Sequence, residues 1–224
     1  MADNTHFCAS FPRTSGVPGK MAMLKGKRWD PGTTLTIRFM SGSTALQDRV
    51  VAAANTWLQF ANLHFDFRDS GPADIRIAFI EGNGSWSFIG TDARSIDPSR
   101  PTMNYGWLKD DTADDEVMRV VLHEFGHAIG LIHEHQNPLG SIQWNRDAVI
   151  RDLSGPPNNW DLQTIENNMF APVDPEDVAG TSVDVASIMM YPIPAAWTQD
   201  GKSAGLNQSL SATDKDFISQ AYPH

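Results

Sequence analysis

Alternation of apolar and polar positions predicts several short strands in the first half of the chain. In the first of them, Leu35, Ile37 and Phe39 fall on one face, while polar residues occupy most of the positions between them. Turn-forming residues such as Asp-Ser-Gly-Pro separate the next two alternating runs. The strand candidates are residues 33–40, 64–67, 74–80, 85–90 and 102–107.

Helical periodicity predicts two longer helices between and after these strands. Ser43 is expected to cap a helix that extends to about Leu63 and carries an apolar stripe. A second helix is expected to begin with a capping box formed by Thr112 and Asp115. It should end at Gly130, because glycine readily adopts the left-handed conformation that terminates helices.

Beyond residue 134 the sequence becomes rich in proline, asparagine and glycine, which favours loops. Weaker helix signals occur at residues 145–153 and 161–169, and a final helix is predicted to start at Ser211 with Asp214 as its capping-box partner. The pattern predicts an α/β (α+β) fold. A mixed twisted sheet and a long helix would form the N-terminal lobe, and a loop-rich C-terminal lobe would end in a helix.

The predicted organisation is one folded domain preceded by an irregular segment. Residues 1–30 are rich in proline, glycine and lysine and are interpreted as an N-terminal arm or short pro-segment. Residues 31–224 would form the domain, with lobes of about 31–133 and 134–224 that meet near the end of the long helix.

Composition excludes some classes of function. The chain of 224 residues carries a formal charge of −10, which argues against a nucleic-acid-binding protein, and it contains no apolar run long enough to span a membrane. Its one cysteine, Cys8, cannot form an intrachain disulfide, and no secretory signal peptide is recognisable. The oligomeric state is not specified by the sequence, and a monomer is the simplest expectation.

Four of the seven histidines lie within a single segment of thirteen residues. His123 and His127 are four residues apart on the predicted helix, so their rings project from the same face and suit one zinc ion. Glu124 would lie beside the metal, where a general base is needed. Gly130 lets the chain turn back, so that His133 can supply a third nitrogen ligand.

Three protein ligands leave zinc an open coordination position, as in catalytic sites, and a purely structural zinc site would not need Glu124. The acidic run at residues 110–116 could attract calcium, but helix capping explains it more simply.

The segment HEFGHAIGLIH has the form HExxHxxGxxH and resembles the metzincin zinc endopeptidases. Residues 187–191, Ser-Ile-Met-Met-Tyr, are similar to the methionine-containing turn of that clan. Glu134 directly after the third histidine, the stretch at 135–138 and the form of the turn resemble the astacin family. The resemblance implies a protein or peptide substrate, an edge strand at about 85–91 that can pair with it, and secretion.

The turn allows two registers. In one, Met189 is the turn methionine and Tyr191 is an additional zinc ligand that later stabilises the oxyanion. In the other, Met190 is the turn methionine and Tyr191 is only part of the scaffold. We favour the first register because Glu134 also indicates the astacin family.

Some features depart from the family pattern. The resemblance implies that Glu134 contacts a trimmed N-terminus, yet about 20 residues precede the comparable position, so another partner is expected. Cys8 lies in those residues, and its thiolate could cap the zinc in a latent form, although an idle thiol is the simpler interpretation. His135 is expected to point away from His133 and to be either a supporting residue or a surface residue.

These features predict a zinc-dependent endopeptidase. The alternative is a zinc-containing binding protein on the same scaffold that no longer cleaves, and Glu124 argues against it because such a protein does not need that carboxylate.

Overall fold

The computed structural model describes residue 7 and residues 23–24, 26–137, 142–171, 178–179 and 183–224. Strands in these ranges are Met23–Leu24 (β1), Thr34–Phe39 (β2), His64–Arg68 (β3), Ile75–Ala78 (β4), Ser85–Ser87 (β5), Met103–Tyr105 (β6) and Val178–Ala179 (β7). Helices are Thr44–Ala54 (α1), Asp114–Ala128 (α2), Arg146–Leu153 (α3), Leu162–Ile165 (α4) and Ala212–Ala221 (α5).

Strands β2 to β6 form one mixed sheet in the order β3-β2-β4-β6-β5. The pairs between β3, β2, β4 and β6 are parallel, and β5 pairs antiparallel with β6 at the edge. The mixed sheet and the edge position of the strand near residue 85 are therefore confirmed. Strand β1 pairs with β7, which joins the beginning of the described chain to its C-terminal half.

One face of the sheet is covered by helices. Leu35 and Ile37 of β2 are fully buried in a core that also contains Val50 of α1 and Val121 of α2. Helix α1 starts at Ser43 as predicted but ends at Ala54, well before residue 63. It ends early because Trp57 turns into the core, where its indole N–H donates to the carbonyl oxygen of Leu122 at 3.0 Å.

The predicted capping box of α2 is wrong. The residue before the helix is Ala113, which has no side-chain cap, and the Thr112 hydroxyl instead accepts a hydrogen bond from the Lys109 N–H at 2.8 Å. Three acidic residues in the first turn still offset the helix dipole. Helix α2 ends at Ala128, and Gly130 follows with φ of 104°, so the predicted glycine stop is confirmed.

A second apolar cluster lies in the C-terminal half of the chain. Val149 and Leu153 of α3 pack there with Ile165 of α4, Met169 and Trp197. Helix α4 continues into a π-helical turn over Glu166–Phe170. Both weaker helix signals therefore correspond to helical segments, the second of them only partly α-helical. In the described ranges, no helix combines the length and hydropathy needed to cross a lipid bilayer.

Helix α5 is anchored by Asp214, which is buried. Its capping box with Ser211 is present as predicted. The carboxylate also accepts hydrogen bonds from the Ser187 hydroxyl at 2.6 Å and from the Ile188 N–H at 2.8 Å. Burial raises the pKa of Asp214, and the surrounding hydrogen bonds oppose that shift. One carboxylate therefore fixes both the start of α5 and the turn at residues 187–190.

Asp214→Asn should lower the free energy of unfolding by about 1–3 kcal/mol, because an amide offers one acceptor oxygen where the carboxylate accepts from the Ser187 hydroxyl and from the N–H groups of Ile188 and Ser211. Urea denaturation followed by tryptophan fluorescence measures this loss. Asp216→Asn, an exposed aspartate on the same helix, is the matched control and should change little. Equal midpoints for the two variants would contradict the anchoring role of Asp214.

Candidate metal centre

Helix α2 and the chain reversal after it bring three histidines together. His123 and His127 lie one turn apart on the buried face of α2, and His133 returns after Gly130. The Nε2 atoms of His127 and His133 are 3.1 Å apart, and one ligand nitrogen from each of the three histidines lies within 4.8 Å of the others. These are the three histidines that the sequence indicated as metal ligands.

Hydrogen bonds fix the tautomers of the two helical histidines. Nδ1 of His123 is 2.9 Å from the carbonyl oxygen of Ile188, and Nδ1 of His127 is 2.9 Å from that of Leu131. A carbonyl oxygen only accepts, so each Nδ1 carries the proton and each Nε2 presents a lone pair. Nε2 of His123 is buried and has no hydrogen-bond partner among the described residues. A metal ion would satisfy this nitrogen, so the donor set fits zinc.

The environment keeps these imidazoles neutral. Burial lowers the pKa of His127 to about 4. Burial also lowers the pKa values of His123 and His133 well below the usual range, and the positive charge that His127 would carry if protonated adds to the effect. Neutral imidazole is the form that binds metal ions.

Glu124 follows the first histidine on α2 and is completely buried. The metal-competent group found among the described residues comprises the three histidines and does not include this carboxylate. Its role as a carboxylate beside the metal stays a prediction.

The turn at residues 187–191 lies directly beneath α2. Met189 is fully buried, and a Cβ atom on Gly126 would collide with its sulfur, which explains why a glycine occupies the middle of this helix. Met190 belongs instead to the C-terminal cluster, together with Tyr191. Met189 is therefore the methionine under the histidines, as in the favoured register.

The ring of Tyr191 lies against the histidines. Its centroid is 4.2 Å from that of His133 and 6.1 Å from that of His123. The side chain of Tyr191 is buried. The structure thus brings the tyrosine to the three histidines that the sequence indicated for the site.

Glu134 has partners other than a chain terminus. Its Oε1 accepts hydrogen bonds from the side-chain amide of Asn137 at 3.1 Å and from the Asp184 N–H at 2.9 Å. Burial raises the pKa of this carboxyl to about 8. Its N–H also donates to the carbonyl oxygen of Met189 at 3.0 Å, so the residue ties the end of the motif to the turn.

The expectation that His135 points away from His133 is wrong. The two rings stack with centroids 5.3 Å apart, and His135 also stacks on Tyr191 at 4.6 Å. Its Nε2 lies 2.7 Å from the carbonyl oxygen of Asn168 and donates a hydrogen bond to it. His135 is therefore a buried supporting residue, not a surface residue, because the turn after His133 folds it back under the tyrosine.

Phe7 also reaches the site, a contact that the sequence pattern does not predict. Its ring lies 5.4 Å from that of Tyr191 and 5.3 Å from that of Trp197, and its N–H donates to Oδ1 of Asn158 at 3.0 Å. The available signal was an aromatic residue in a segment rich in proline, glycine and lysine. Cys8 lies outside the described residues, so capping of the metal by its thiolate stays a prediction.

A cleft of about 940 Å³ opens beside the site. Its lining includes Trp86 of the edge strand and Trp107 from the N-terminal half of the chain, and Trp160 and Asn168 from the C-terminal half. Phe7 also lines this cleft, as well as a small pocket that includes His123 and Tyr191. A space of this size and shape can accept an extended chain beside β5.

Comparisons with known proteins agree with this geometry. The sequence model of the astacin peptidase family matches residues 22–222. The solved structure of myroilysin is 41% identical, with a TM-score of 0.88 over 90% of this chain and 98% of that chain. High choriolytic enzyme 1, a hatching enzyme zinc-protease of the medaka fish Oryzias latipes, is 15% identical with a TM-score of 0.56 over 91% of this chain and 98% of that chain and shows the shared fold.

Among curated sequences, the zinc metalloproteinase dpy-31 of Teladorsagia circumcincta is 24% identical over 88% of this chain. The chain spans 31% of the length of that relative. The family match covers the sheet, the histidine motif and the methionine turn described above, and the chain belongs to the astacin family of peptidases.

Proposed function

We propose that the protein is a zinc endopeptidase that hydrolyses peptide bonds in proteins or peptides. The observation that carries the proposal is the set of three buried histidines whose ligand nitrogens lie within 4.8 Å of one another. His123, His127 and His133 would hold one zinc ion, and Tyr191 would be an additional ligand. When bound, zinc supplies a Lewis acid that makes water nucleophilic at neutral pH and polarises the scissile carbonyl.

Glu124 would act as the general base. Its carboxylate takes a proton from the attacking water and then delivers it to the leaving amine. Glu124 is completely buried on α2, and this packing restricts the motion of its carboxylate. The carboxylate therefore needs little reorientation during the reaction.

Tyr191 would have two successive roles during turnover, first as a metal ligand and then as a hydrogen-bond donor. Its position against His133 permits metal ligation before substrate enters, and its hydroxyl can then donate a hydrogen bond to the developing oxyanion. Such a contact is made mainly in the transition state, so it would affect kcat more than KM.

The substrate would bind as an extended chain in the cleft beside β5, pairing with the edge of the sheet. The net charge of −10 argues against nucleic acid as a partner. Residues 31–224 would form one catalytic domain, and secretion is proposed from membership of the astacin family. The competing function, a binding protein that no longer cleaves, is not favoured by any contact described in the site.

The segment around Phe7, at the start of the predicted N-terminal arm of residues 1–30, would restrain the enzyme. Phe7 occupies space between the cleft and the metal centre and packs on Tyr191, a residue that must move in the proposed mechanism. A substrate would therefore have to displace this contact, and the arm would act as a pro-segment.

Glu124→Ala should retain about one zinc per chain and lose casein hydrolysis by several orders of magnitude, because the base is removed while the ligands remain. Metal content and proteolysis are measured with and without a zinc chelator, and Glu166→Ala, a surface glutamate, serves as the control. If wild type and Glu124→Ala both hold zinc and wild type does not cleave even when Cys8 is replaced by alanine, the binding-protein alternative replaces this proposal.

Tyr191→Phe should lower kcat by about 10–1000-fold, a smaller loss than that of Glu124→Ala, with a lesser change in KM. Steady-state kinetics on a fluorogenic peptide separate the two parameters. The aromatic ring remains in phenylalanine, so packing against His133 is preserved. A rate equal to that of wild type would contradict a role for the hydroxyl.

Phe7→Ala should raise the activity of the full-length zinc enzyme about three- to tenfold, because about 1 kcal/mol of aromatic contact that holds the arm over the site is lost. Cleavage of the same fluorogenic peptide measures the effect, and chelator sensitivity must be unchanged. A rate at or below that of wild type would contradict the restraining role of the arm.

A further inference from the structure

Three arginines lie side by side on neighbouring strands of the sheet. Arg38 of β2 is in register with Arg68 of β3 on one side and with Arg76 of β4 on the other. Residues in register on parallel strands point to the same face, so these like charges are adjacent and repel one another.

The three guanidinium groups are compensated to different extents. Arg68 forms an ion pair with Asp66 at 2.6 Å. Arg76 is buried, and its side-chain nitrogens donate to main-chain carbonyl oxygens, those of Ala73, Ile96, Asp97 and Arg100. Carbonyl groups satisfy its hydrogen bonds but carry no net charge, and the more distant carboxylates of Asp97 and Asp74 offset its charge less than burial and Arg38 disfavour it.

Arg38 is left without such compensation. Among the described residues, its guanidinium makes neither a hydrogen bond nor an ion pair, and its Nε is buried without a partner. Burial, with a smaller contribution from the charge of Arg38, lowers the pKa of Arg76. The two groups are therefore close enough to affect each other electrostatically.

Arg38 and Arg76 line a pocket of about 510 Å³ on the sheet face opposite Leu35 and Ile37. Among the described residues, its charged lining consists of Arg38, Arg76, Arg94 and Asp74, which gives a formal charge of +2. In the part of the chain that the structure describes, the pocket shares no lining residue with the cleft beside the metal centre.

The acidic residue of this pocket is already engaged. One oxygen of Asp74 accepts hydrogen bonds from the Thr36 N–H and hydroxyl, and the other accepts from Nε of Arg94 at 3.0 Å. Hydrogen bonding to these groups outweighs burial and lowers the pKa of Asp74, so the carboxyl stays ionised. Its charge is therefore shared first with Arg94 and not with Arg38.

We propose that this pocket is a second ligand site, which binds a dianionic phosphate or sulfate group through Arg38. The planar guanidinium matches the oxygens of such groups, and a dianion would neutralise the charge of +2 that the pocket carries. A monoanionic carboxylate would neutralise half of it. The site lies on the face away from the metal centre and does not depend on the proposed peptidase activity.

The test measures thermal unfolding of the full-length zinc-loaded protein in sodium phosphate, sodium sulfate or sodium acetate, each at the same ionic strength as a sodium chloride reference. Phosphate and sulfate should raise the Tm by about 2–5 °C at saturation, and acetate should raise it less. A shift no larger than that in chloride, or an equal shift in acetate, would overturn the assignment.

Arg38→Gln should abolish the shift caused by phosphate, and without added anion its Tm should equal or exceed that of wild type because repulsion is relieved. An anion that bound the zinc instead would shift both proteins equally and would refute the proposal. Arg151→Gln removes one exposed arginine elsewhere and should keep the full shift. If Arg38→Gln does not fold, Arg94→Gln, which changes a half-exposed side chain, should weaken phosphate binding about tenfold in calorimetry.

A phosphate ester distinguishes the free anion from a phosphate group carried on a larger molecule. Glucose 6-phosphate, which is dianionic at pH 8, would assign the pocket to phosphorylated ligands if it binds at least about tenfold more tightly than inorganic phosphate. Equal affinity would assign it to the free anion. In either case Arg38→Gln must remove the binding, and retention by that variant would contradict the site.

Discussion

The hydrogen bond between Nδ1 of His123 and the carbonyl oxygen of Ile188 joins α2 to the turn that carries Met189 and Tyr191. Without it, the first histidine of the motif would be free to rotate and could adopt the other tautomer. The carbonyl can serve in this way only because the turn itself is fixed by Asp214 of α5. The metal centre thus depends on a chain of contacts that extends from the long helix to the C-terminus.

The same arrangement explains why so many polar groups are buried beneath the cleft. Burial lowers the pKa values of the histidines and keeps their rings neutral, and a low local dielectric strengthens each of the hydrogen bonds that orient them. A buried imidazole nitrogen without a hydrogen-bond partner lowers the stability of the folded state. In this chain that cost is offset when the nitrogen binds a metal.

The sheet separates two chemically different regions. Its apolar face packs on α1 and α2 and so supports the metal centre, whereas its other face carries adjacent arginines that the fold compensates only in part. Consecutive residues of β2 face the two regions: Ile37 points to the apolar core and Arg38 to the opposite face of the sheet. A change in the register of β2 would disturb both.

Local patterns in the sequence were sufficient wherever the interaction itself is local. The four-residue spacing of His123 and His127 places both on one helical face, Gly130 permits the reversal, and Ser211 with Asp214 closes a capping box within one turn. Tertiary contacts decided the rest. The Thr112 hydroxyl accepts a hydrogen bond from the Lys109 N–H instead of capping α2. Helix α1 is shorter than predicted because Trp57 turns into the core and donates to the carbonyl oxygen of Leu122. Phe7 packs on Tyr191 because the C-terminal half of the chain buries it. The alignment of Arg38 with Arg68 and Arg76 likewise exists only once the strands pair, since strand register is a property of the folded sheet and not of any one strand.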